Sequence, residues 1–135
     1  MRRLAIVLVA AIGIIGGTSS RIAAHHSSSA TYLEDQSITI EGDVVQYLFR
    51  NPHSFVHVNV TEKNGTTRRY MAEWNTPSQL GEQGVTSRTL RVGDRVIITG
   101  NPGRRYPQEA TLRVVRLRRP ADGFDWRLPP KSGGD

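Results

Sequence analysis

Four histidines, His25, His26, His53 and His57, are the residues whose type and spacing suit chemistry best. No serine sits in a Gly-x-Ser-x-Gly elbow, no glycine-rich phosphate loop opens a helix, and there is no His-Glu-x-x-His. Carboxylates are scattered, with Glu73 beside an aromatic on a strand-like run. No residue is therefore assigned a catalytic role, and a binding function is expected ahead of an enzymatic one. His25-His26 stands just after an apolar leader. If the chain is cut before His25, the new α-amine and the His25 imidazole can chelate one ion together. Nitrogen donors of this kind suit copper, nickel or zinc, and divalent copper lies highest in the affinity order. Cleavage one residue earlier leaves Ala24-His25-His26, and a histidine at position three also takes divalent copper or nickel. Copper is thus the cofactor the residues point to, held by His25 and His26. His53 is the candidate third ligand. In one extended strand His53 and His57 would sit about 13 Å apart, at the limit for sharing an ion.

A second constellation is a face. Phe55, His57 and Asn59 fall on one side of the alternating run Ser54 to Glu62. Tyr70 and Trp74 on the next run are read as extra aromatic surface beside them. Phe55, His57, Tyr70 and Trp74 are accordingly the candidate ligand-binding residues. The competing reading packs Phe55 and Trp74 under a terminal segment. Asn59-Val60-Thr61 and Asn64-Gly65-Thr66 match the glycosylation triplet, but Asn64-Gly65 is better explained by a hairpin.

The elements that would position these groups read as follows. Ser37 to Phe49 is strand-like, with its apolar parity reversing near Gly42, where a bulge or bend is expected. Arg50-Asn51-Pro52-His53 is a turn. Thr67 to Trp74 returns after the Asn64-Gly65 hairpin. Thr76-Pro77 starts a short helix that Gly84 can end. Arg95 to Gly100 and Glu109 to Leu117 are two more strands. The order predicts an all-β fold, a small five-stranded OB-like antiparallel barrel with one short helix. Its span is 37–117, after an N-terminal arm over 25–36 and before a Pro/Gly-rich tail over 118–135. That tail is expected to dock, if at all, through Phe124 and Trp126.

Residues 1–24 read as a signal peptide: Arg2 and Arg3, then the 12-residue apolar run Leu4 to Ile15, then Gly16-Gly17 and a polar approach to Ala23-Ala24. A spanning helix needs about 20 apolar residues, so cleavage is expected rather than a retained anchor. The chain is then exported to the periplasm or secreted, with no stable membrane insertion after processing. Removing Arg2, Arg3 and Arg21 shortens 135 residues to 111 and takes the formal net charge from +6 to +3. One core is affordable at that length and two are not. A charge of +3 is ordinary, so nucleic acid is not an expected partner. The absence of cysteine excludes disulfides, thiolate metal sites, iron–sulfur clusters and an acylated lipoprotein anchor.

Several motifs together resemble a known family of small exported bacterial proteins, domain of unknown function 6152. They are Ala24-His25-His26-Ser27, Asn51-Pro52-His53, Glu73 followed by Thr76-Pro77-Ser78-Gln79-Leu80, and Leu90-Arg91-Val92-Gly93-Asp94. The resemblance covers about residues 23–117; Ser28 stands where members usually carry an aromatic. It implies an exported bacterial protein and marks His25, His26 and His53, with no established activity to carry over. The reading is therefore a periplasmic OB-like binding module holding copper or another transition metal through its N-terminal histidines. The alternatives are a small metal-dependent oxidative enzyme, and an accessory subunit docking a protein or a saccharide.

Overall fold

Strand β2, Phe55–Thr61, shows how the pattern selects the fold. Val56, Val58 and Val60 are buried while Phe55, His57 and Asn59 face outward. Burying each valine contributes about 1.5–3 kcal/mol. A one-residue slip would exchange the two sets, so the register enforces itself. The computed structural model describes residues 28–130. The expected signal segment 1–24 and the pair His25-His26 lie outside those residues.

The described chain begins with a single helical turn, α1, Ser28–Thr31. The strands are β1 Ile38–Leu48, β2, β3 Thr67–Glu73, β4 Arg95–Pro102, β5 Thr111–Arg119 and β6 Phe124–Arg127, with helix α2, Pro77–Glu82, between β3 and β4. They line up as β3-β2-β1-β4-β5-β6, and β3 also pairs with β5, closing the first five strands into a barrel of the OB arrangement. The expected barrel was antiparallel throughout, and one pairing differs. Met71, Ala72 and Glu73 run parallel to Thr111, Leu112 and Arg113. The reason is parity: a closed ring of five strands cannot alternate direction all the way round.

Two devices let so small a sheet close. Strand β1 serves β4 with its first half and β2 with its second, and its register shifts between Val44 and Gln46. The bulged residue is Val45, so the parity reversal expected at Gly42 falls three residues later. Gly42 has a different task. A Cβ there would lie 2.1 Å from the Asn59 carbonyl oxygen, so only glycine lets β1 approach β2 this closely.

Inside, Ile40, Val44, Val96, Ile98, Leu112, Val114 and Leu117 meet the β2 valines. Helix α2 plugs one end with Leu80. Thr76 caps it by accepting from the Gln79 N–H at 3.2 Å, and Pro77 occupies its first turn. The tail segment forms β6 rather than a loose flap. Trp126 stands opposite Leu117 and is buried, and its indole N–H donates to Gln83 Oε1 at 2.7 Å.

Candidate functional site

Strand alternation places Glu73 on the outside of the barrel, because its neighbour Ala72 faces in. Its register partners are Phe55 on β2 and Arg113 on β5. The loop between β1 and β2 carries His53 to the same place. His53 Nδ1 lies 2.5 Å from Glu73 Oε1. The other carboxylate oxygen, Oε2, accepts from the Tyr32 hydroxyl at 2.5 Å. One carboxylate therefore joins an N-terminal residue to a loop residue.

Tyr32 is 4% exposed although it lies outside the barrel. Burial, followed by the hydrogen bond to Glu73, pushes its hydroxyl well above the ordinary phenol range, so it stays protonated and donates. The segment around it is tied down by backbone and side-chain bonds. Leu33 N–H donates to the Pro102 carbonyl at 2.9 Å and Arg104 N–H to the Thr31 carbonyl at 3.1 Å. The Arg104 guanidinium donates to the Ser29 carbonyl, and Asn101 Nδ2 to the Gln36 carbonyl at 2.8 Å. Glu34 lies 3.6 Å from Arg113. The arm expected to be extended thus makes one helical turn and then packs along the end of β4.

His53 keeps its side chain 47% exposed, against 20% for Glu73. In the neutral ring, an Nδ1–H directed at the carboxylate puts the lone pair on Nε2. This is the arrangement that orients a metal-ligating imidazole. His53 is one nitrogen donor. Among the described residues no group of three or more His, Asp or Glu side chains could hold a metal ion. The other two candidate ligands, His25 and His26, lie outside the described residues.

His57 is not part of this group. It faces outward on β2 opposite Gln46 and Met71. Burial first, then the positive charges of Arg69 and Arg50, lower its pKa from 6.5, so it is neutral near pH 7. Phe55 also faces outward, half-buried.

The aromatic surface expected from Tyr70 and Trp74 is corrected by the structure. Both are core residues, 3% and 2% exposed. They share the inward parity of Ala72, so the rings sit on the opposite side of the sheet from Phe55 and His57. Trp74 packs edge-on against Trp126 and lies 6.1 Å from the Tyr47 ring. Tyr70 donates to Glu62 Oε1 at 2.9 Å.

Sequence reasoning placed His53 in its turn and noted Glu73. It missed Tyr32, whose one available signal is that it is a large aromatic ring in an otherwise polar, aperiodic arm.

Comparisons with known proteins set the chain in context. A comparison with curated proteins returns no match. Among solved structures, a mitochondrial single-stranded DNA binding protein from S. cerevisiae is 12% identical, with a TM-score of 0.46 over 62% of this chain and 91% of that one. A small single-stranded DNA-binding protein from Streptomyces coelicolor is 18% identical, with a TM-score of 0.41 over 66% of this chain and 96% of that one. Neither likeness says what this chain binds, and the barrel rests on its own strand pairings. The model of a family of unknown function (DUF6152) matches residues 14–111, and the chain belongs to that family.

Proposed function

We propose that this family member is an exported binding module that captures a divalent copper ion with its N-terminal histidines, His25 and His26, and with His53. Cleavage after Ala24 supplies the free amine that completes the chelate. The reading is carried by one observation: Glu73 receives His53 Nδ1 on one oxygen and the Tyr32 hydroxyl on the other. The first contact leaves the His53 Nε2 lone pair for a ligand. The second fastens the arm six residues after His26 beside that imidazole. The barrel supplies a rigid platform, and the chain's own N-terminus supplies the reactive donors.

The test is copper binding by the exported protein, with its start fixed by mass spectrometry. It should begin at His25 and bind one Cu(II) through nitrogen donors visible by electron paramagnetic resonance. The His25→Ala/His26→Ala double variant should lose that binding. Equal binding by the double variant would defeat the reading.

A further inference from the structure

We infer that the outer face of the barrel carries a second binding site, over Arg113, for a free α-amino acid with an apolar side chain. Neither copper nor the N-terminal histidines take part in it. Asn101 on β4 and Glu73 on β3 are both register partners of Arg113 on β5, so the guanidinium rises from the middle of a polar row. The arm lays Glu34 beside that row, and the segment after β6 lays Leu128 and Pro129 there. Between them lies a cleft of about 300 Å³ lined by these residues. That volume is at the lower end for small-molecule sites and suits a ligand of this size.

The donors and acceptors set the ligand. The Arg113 side chain is only 27% exposed, yet its ion contact, Nη1 to Glu34 Oε1 at 3.6 Å, is longer than a hydrogen bond. Among the described residues its Nε and Nη2 meet no acceptor. They form an open fork, the edge that takes a carboxylate in two parallel hydrogen bonds. Asn101 Nδ2 donates to the Gln36 carbonyl at 2.8 Å and to the Glu34 carbonyl at 3.4 Å, which leaves Oδ1 as an acceptor for an ammonium group. Cross-strand partners hold their Cβ atoms about 4.5–5.5 Å apart, so the two charged groups on one α-carbon can reach both side chains. Glu34 is held by Arg113 and by further contacts, and its negative charge stands at the same cleft. A plain carboxylate would bring a second negative charge beside it. A zwitterion leaves the local charge unchanged, with its carboxylate on Arg113 and its ammonium towards Asn101 and Glu34. Leu128 and Pro129 form the apolar wall for the side chain.

The experiment is isothermal titration of L-leucine into the purified mature protein, with nuclear magnetic resonance shifts followed through the same titration. Binding should saturate with a Kd below about 1 mM. The shifts should centre on Glu34, Asn101, Arg113 and Leu128. Isocaproate lacks the ammonium and isoamylamine lacks the carboxylate, and each should bind at least about tenfold more weakly, the loss expected when a hydrogen bond to a charged group goes. Glycine, without the side chain, should also bind more weakly than leucine. Arg113→Lys keeps the charge and removes the fork, and it should weaken leucine binding at least about tenfold. The four ligands are compared on the native protein, so the outcome does not depend on how Arg113→Lys folds. No saturable leucine binding, shifts centred elsewhere, or isocaproate binding as tightly as leucine would overturn the site. So would a folded Arg113→Lys variant with native affinity.

Discussion

Trp126, near the C-terminal end, stands edge-on against Trp74 at the end of β3, with ring centroids 5.2 Å apart and planes at 86°. The contact joins the last strand to the strand that ends in Glu73. It makes β6 part of the core and brings the tail under the same cooperative unit as the site. Aromatic pairs in this geometry add about 0.5–1.5 kcal/mol beyond the area they bury.

Trp126→Ala should therefore destabilise the whole domain by about 3–5 kcal/mol, as expected for removing a buried tryptophan. Urea unfolding followed by far-ultraviolet circular dichroism measures it. An unchanged midpoint would show that β6 is an appendage.

Gly42→Ala should cost at least about 1–3 kcal/mol, because the new Cβ would lie 2.1 Å from a backbone oxygen that cannot step aside alone. Gly81→Ala is the matched contrast. Its Cβ meets nothing within 4 Å, and it lies in α2, where alanine is favoured over glycine by about 0.8–1.0 kcal/mol. The two substitutions should shift the unfolding midpoint in opposite directions. A common sign would contradict the close approach of β1 to β2 at Gly42.

Acid should weaken the β5–β6 pairing in a defined window. The Arg116 guanidinium, hydrogen-bonded to Asp125 at 2.6 and 2.8 Å, holds that carboxyl down at about 2. Its folded value is depressed, so the contribution is present above the unfolded value of about 3.9 and is lost as pH falls towards about 2. Asp125→Asn should flatten stability against pH between those two values and leave the profile above pH 5 unchanged. Parallel profiles in native protein and variant would refute the assignment. Both side chains are about one-third exposed, so added salt should shrink the effect.

His57 should titrate below 6.5, since burial and then Arg69 and Arg50 oppose its charge. Arg69→Gln should raise that value while leaving it below 6.5, because the burial contribution stays. Nuclear magnetic resonance titration of the ring protons reads both numbers. A value at or above 6.5 in the native protein would mean that the outer face of β2 is wetter than its packing implies.

Much of this was legible in the residues alone. Alternation over Ser54 to Glu62, the Asn64-Gly65 turn and the Thr76-Pro77 cap each encode local geometry in local chemistry, and the structure places a strand, a hairpin and a helix there. Strand order followed from those local signals. The same parity rule already contained the placing of Tyr70 and Trp74, since both alternate with Ala72. Trp74 packs against Trp126 of the tail, as the competing reading of the sequence has it. Other features had no local signal. The parallel β3–β5 pairing follows from closing a ring with an odd number of strands, which no segment encodes. The bulge at Val45 depends on where β1 must leave β4 for β2. Glu73 meets Tyr32, 41 residues earlier, only because β3 and the arm converge on the same end of the barrel. Local propensity determined the elements of this protein. Closure of the barrel decided which distant side chains would share one carboxylate, because that depends on the relative positions of strands and not on the preference of any of them.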